Sequence, residues 1–120
     1  MFPDQFYEMA KNECTISITT NGMNGLHTKN IWSIHMRIPD DSSILLPLED
    51  YSTTERNIIL NHTVKLSIRG ENSQEHAIGY LMKGTAHFYL NGSELDEIKS
   101  EYPWASRVLQ VKVSSIKQLL

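Results

Sequence analysis

The residues best suited to chemistry lie in the segment STTERN at 52–57, where hydroxyls and a cation follow one another across a change of sequence period. Ahead of it, Ile44, Leu45, Leu46 and Leu48 make a continuous apolar run with Pro47 inside, the pattern of a buried strand whose end lies at a sheet edge. Behind it the period turns helical. Ser52 with Glu55 three residues on is a capping box, and Ile58 with Ile59 supplies the apolar face of the helix it starts. Thr53 and Thr54 then occupy the first turn, where free N–H groups and the positive end of the helix dipole favour a phosphate or other anion. The competing reading is that Ser52 and Glu55 satisfy those amides themselves and the segment only starts a helix. Taken alone, the stretch favours that second reading, because Glu49, Asp50 and Glu55 repel anions.

Composition restricts the class of protein that could carry such a loop. A chain of 120 residues suits one domain spanning 1–120, with a core of its own. No apolar run approaches the roughly 20 residues needed to cross a bilayer, so no membrane span is expected. The start MFPDQFYEMAKNE lacks the basic and apolar regions of a signal peptide, which makes the cytoplasm the expected location. A net charge of -3, with Lys and Arg dispersed, offers no footprint for nucleic acid. Cys14 is the single cysteine, which excludes an internal disulfide and multi-thiolate metal sites; a small buried residue is its expected role. The histidines, His27, His35, His62, His76 and His87, show no HxH or HExxH spacing, so no metal site is expected from them. No nucleophile elbow is present, and Glu94 with Asp96 flank a helix start, where the helix dipole explains them.

The elements that must position the loop follow from periodicity. Pro3 with Phe2, Phe6 and Met9 predicts a short helix over 3–12. Residues 14–20 alternate and are β-branched, and NGMNG at 21–25 reverses the chain. Residues 27–38 read as one strand with Asn30, Trp32, Ile34, Met36 and Ile38 on one face and a mixed face carrying Ile31. After the helix begun at Ser52, residues 63–69 alternate, and 78–90 form a long strand bent at Gly84. Ser93 caps a helix carrying Leu95 and Ile98, Pro103 stops it, and 108–113 is the last strand. The sum is a mainly β chain of six strands and three short helices, which favours a closed antiparallel barrel decorated by helices.

In this order and spacing, FPDQFYEMAKNE, TTNGMNGLH with NIW, TTERN, GYLMKGTAHF and WASRVLQVKV make the whole chain resemble the FMN-binding split barrels related to pyridoxamine 5'-phosphate oxidase, in particular the small stand-alone FMN-binding proteins. The resemblance implies a six-stranded antiparallel split β-barrel that forms a homodimer, with FMN at the subunit interface. It implies that Asn30, Ile31 and Trp32 lie along the flavin and that the backbone of Leu46, Pro47 and Leu48 meets the ring. Ser52, Thr53 and Thr54 approach the phosphate, and Trp104 and Leu120 flank the ring; His35, three residues after NIW, borders its edge. The apolar tail of Ile116, Leu119 and Leu120 is expected to be covered by the second subunit.

This chain departs from the pattern where family members usually carry Lys or Arg, at Thr53, and small residues, at Glu49 and Asp50. The departure implies a weakened phosphate site, for which Arg56, Lys29 or Lys65 are the candidate substitutes. Two functions remain open. One is a small flavoprotein, an electron carrier or minimal flavin reductase serving a redox partner protein. The other is a cofactor-poor dimer acting as a binding or structural module. The chain ends at Leu120 without the basic C-terminal segment that pyridoxamine phosphate oxidases use for substrate, so that activity is not expected.

Overall fold

The computed structural model describes residues 1–23, 25–32, 36–49, 52–71 and 74–119. Helix α1 (Asp4–Ala10) is followed by strands β1 (Thr15–Gly22), β2 (Gly25–Trp32), β3 (Arg37–Asp40) and β4 (Ser43–Leu48). Helix α2 (Ser52–Leu60), β5 (Thr63–Glu71), β6 (Ala77–Tyr89), α3 (Ser93–Glu101) and β7 (Arg107–Gln118) complete the chain. The strands form one antiparallel sheet in the order β2-β1-β5-β6-β7-β4-β3.

Two expectations are corrected here. The sheet has seven strands rather than six, and it is not closed by hydrogen bonds: β2 and β3 are its two edges among the described residues. The expected single strand 27–38 is divided between those edges, β2 pairing with β1 and β3 with β4. Alternation persists across the break, and alternation records which face a side chain takes, not which partner the backbone has. The sheet is nonetheless rolled, because Ile31 from one edge and Ile44 and Leu46 from the far side share one core with Ile16, Leu66, Met82 and Val111.

The face assignment in β2 is also reversed. Ile31 is buried and Asn30 exposed, with the Asn30 carboxamide oxygen accepting a 2.7 Å hydrogen bond from Ser17 Oγ. Elsewhere the periodicity holds: Phe6 and Met9 of α1, Val64, Leu66 and Ile68 of β5, and Cys14 before β1 are buried. Gly84 marks a register shift in β6, and a Cβ there would lie 2.5 Å from the Lys112 carbonyl oxygen, so only glycine lets β7 approach. Helix α3 starts at Ser93, but Gly92, with φ of 101°, is its N-cap, so Ser93 is not the capping residue. The helix packs Leu95 and Ile98 with Val108 in a second cluster on the outer side of the sheet. The last strand runs to Gln118 rather than to 113, and Ile116 packs on the chain's own core, which corrects the expectation for that residue of the tail; Leu119 is exposed, and Leu120 lies outside the described residues.

Pro39 and Pro47 both sit where a missing N–H costs nothing. Pro39 lies in the edge strand β3. In β4 the residues of even number turn their backbone groups to β7, as the 2.7 Å bond from Val113 N to the Ser42 carbonyl fixes, so Pro47 faces the opposite side. There β3 has already ended, its pairs reaching only Leu45. The β3–β4 turn is held by Asp40 Oδ1, which accepts from Ser42 N at 2.9 Å; that bond lowers the Asp40 carboxyl below its ordinary range.

Candidate functional site

The STTERN segment lies in helix α2, which packs on the β1–β2 hairpin and is tied to β7 through Arg107. Helix α2 turns Thr54, Asn57 and Ile58 inward, at the i, i+3, i+4 spacing of one buried face. Its anchor is a buried hydrogen bond of 3.0 Å from Asn57 Nδ2 to Thr20 Oγ1 on β1. The hairpin can press against this helix because position 22 is glycine: a Cβ there would lie 2.1 Å from Asn57 Oδ1. Gly22 pairs with Gly25 at the hairpin end, and the φ of 99° at Gly25 suits glycine.

Between hairpin and helix lies a cleft of about 330 Å³, lined by Gly22, Leu26 and His27 on one side and Thr53, Arg56 and Asn57 on the other. Its charge balance follows from who is paired. Arg56 is exposed and makes no ion pair among the described residues, whereas Glu55 is held by Arg107 of β7. The Glu55–Arg107 pair neutralises the first-turn carboxylate expected to cap α2, leaving Arg56 as the uncompensated charge beside Thr53 among the described residues. Thr53 is exposed; Thr54 is only 2% exposed, and its hydroxyl has no hydrogen-bond partner among the described residues. A buried polar atom without a partner costs stability, so such atoms call for an explanation.

The end of β4 borders the same region. Leu46, Pro47 and Leu48 are buried, with Leu48 O accepting from Ser106 N at 3.0 Å and Glu49 O accepting from Ser106 Oγ. The chain that binds them carries Trp104, 43% exposed, whose ring lies 5.9 Å from that of Tyr102. Tyr102 in turn has the Arg37 guanidinium 6.0 Å away, and Arg37 pairs with Glu101.

Of the residues singled out in the sequence, Thr53 and Thr54 share the first turn of α2, and Ser106, two residues after Trp104, bonds to Leu48 at the end of the Leu46–Leu48 run. Asn30 and Ile31 lie elsewhere on β2, opposite Ser17 and Ile16, where with Cys14 and Thr15 they border a separate hollow of about 190 Å³. The readings placed on the side chains of Trp32 and Ser52, and on His35, Asp50 and Leu120, lie outside the described residues. Lys65 borders a different hollow, with Thr19 and Asn61, so Arg56 is the one of the three substitute cations found in the cleft beside Thr53. Sequence reasoning missed the Asn57–Thr20 and Glu55–Arg107 links. Both join residues far apart in the chain, and no local pattern reports them.

An alignment spanning the whole chain matches a curated FMN-binding protein of Nitratidesulfovibrio vulgaris, 30% identical over 125 residues and covering 100% of both. The chain belongs to the FMN-binding split-barrel family. No family model matches it. Among solved structures it resembles HupZ of Group A Streptococcus (TM-score 0.79, 19% identity, 99% of this chain and 94% of that one). It also resembles an FMN-binding protein of Syntrophomonas wolfei (TM-score 0.69, 12% identity, 88% and 76%). These two likenesses establish the fold. Among the described residues, no helix is long and apolar enough to cross a membrane.

Proposed function

We propose that this family member is an FMN-binding flavoprotein, an electron carrier or minimal flavin reductase, with its flavin at the interface of a homodimer. The observation that supports it most is the full-length relationship to a protein named for FMN binding, joined to a cleft whose residues suit a phosphate. The fit is chemical: the Thr53 hydroxyl and Arg56, which makes no ion pair among the described residues, line the cleft at the first turn of α2, where a helix offers amide donors, and these are groups a phosphate takes up; the Thr54 hydroxyl, unpartnered among the described residues, lies in the same turn. Arg56, three residues after Thr53, supplies the cation that family members usually carry at Thr53. The role of Glu55–Arg107 is to hold the neighbouring carboxylate away from that anion.

Bound FMN supplies one- and two-electron chemistry, and the polypeptide supplies position, access and electrostatics. In this reading Thr53, Thr54 and Arg56 anchor the phosphate, the open side of β4 at Pro47 faces the ring, and Trp104 covers part of it. The size of the cleft favours a shared site. About 330 Å³ is at the small end for organic ligands, which bury most of their surface, so one chain accommodates the phosphate and ribityl part and a second copy completes the ring site. The exposed side chains Met23, Leu26 and Leu60 lining the cleft give that second copy an apolar surface to cover.

The test is the purified protein itself. It should be yellow, release FMN rather than riboflavin on denaturation, and sediment at twice the 13.8 kDa chain mass. A colourless protein that takes up no FMN would instead support the cofactor-poor module. A monomer that binds FMN fully would remove the shared site.

A further inference from the structure

Twenty-five positions apart in the sequence, His62 and His87 stand side by side on the surface, with ring centroids 5.3 Å apart and planes inclined by 30°. We propose that this pair is a binding site for a divalent transition-metal ion of the Zn2+, Ni2+ or Cu2+ class, separate from the cleft described above.

The pairing is built by the backbone. His62 follows α2, and its carbonyl accepts a 2.8 Å hydrogen bond from Ala86 N, the residue before His87. The link between α2 and β5 is held on both flanks, by Asn61 N bonding to the Asn57 carbonyl at 2.8 Å and Thr63 N bonding to Asn61 Oδ1 at 3.0 Å. His87 is fixed in the middle of the sheet, opposite Gln110 of β7. The backbone thus sets the two imidazoles next to each other, and both are exposed to an entering ion.

The centroid spacing is the size this chemistry needs, and rotation of the near-parallel rings aims a nitrogen of each at a common ion. With Zn–N of about 2.0–2.1 Å and a ring centre about 1.1 Å behind the ligating nitrogen, two imidazoles on a tetrahedral ion have centroids roughly 5 Å apart. Neither side chain has a hydrogen bond or a carboxylate partner among the described residues, so the ring nitrogens are available as ligands. Neutral imidazole is a ligand of borderline softness, which selects Zn2+, Ni2+ and Cu2+ over Mg2+ and Ca2+, with Cu2+ the tightest. No group of three or more His, Cys, Asp and Glu that could hold a metal occurs among the described residues. Two protein ligands leave water in the other positions, and the ion is exchangeable and removed by chelators.

Calorimetric titration of the whole chain with Zn2+ and with Cu2+ tests this. One ion per chain is expected, Cu2+ tighter than Zn2+, with no binding of Mg2+ at the same concentrations. His62→Gln and His87→Gln should each weaken Zn2+ binding tenfold or more, and His76→Gln should leave it unchanged. As a check that needs no variant, Zn2+ should shift the ring resonances of His62 and His87 in the wild-type NMR spectrum before those of other histidines. Unchanged Zn2+ affinity in both the His62 and His87 variants, or Zn2+ shifts confined to other histidines, would overturn the assignment.

Discussion

Replacing Arg56 by Gln separates the phosphate from the rest of the flavin. Arg56 is exposed and unpaired among the described residues, so the change breaks no ion pair and leaves the fold intact. A hydrogen bond to a charged group contributes about 1.5–3 kcal/mol. Because the cleft is open and Arg56 exposed, solvent screening puts the effect at the low end, about 1.5 kcal/mol or roughly tenfold in Kd. Riboflavin lacks the phosphate and should bind both proteins alike. Titrating apo-protein with each flavin, followed by flavin fluorescence, measures the two affinities, and the FMN advantage of the wild type should shrink as salt is added. Equal losses for FMN and riboflavin, or no loss for either, would refute the role given to Arg56.

Other expectations follow from unpartnered or exposed groups. Thr54→Val removes a buried hydroxyl without a partner, so the apo-protein should melt a few degrees higher while FMN binds more weakly; a stabilised variant with unchanged FMN affinity would make Thr54 a packing residue only. Tyr80 is 1% exposed with its hydroxyl equally unpartnered among the described residues, and desolvation raises its pKa. Tyr80→Phe should therefore stabilise the chain, by about 1–3 kcal/mol in denaturant melts, with flavin affinity unchanged. If Trp104 covers the ring, Trp104→Ala should restore part of the quenched fluorescence of bound flavin, and unchanged emission would assign Trp104 to the protein surface alone.

Much of the fold could be read from periodicity, because β1, β5 and α1 bury regular faces: Ile16 and Ile18, then Val64, Leu66 and Ile68, then Phe6 and Met9. Gly84 announced its bend for a related reason, since only glycine permits the approach of β7 there. The division of residues 27–38 between two sheet edges is not legible in local alternation, which is why Ile31 reads as part of the mixed face although it is buried. At the candidate site, the first turn with Thr53 and Thr54 was visible from local spacing. What decides its charge was not: Arg107 reaches Glu55 from 52 positions away, and Asn57 reaches Thr20 across 37. The same blindness to distance hid His62 and His87.

The most direct measurement of the central claim is an equilibrium titration of the wild-type apo-protein with FMN, read by flavin absorbance and fluorescence. The account predicts saturation at one FMN per chain, with a perturbed absorption band, quenched emission and weaker binding of riboflavin. Absence of saturable FMN binding up to millimolar concentration would contradict it.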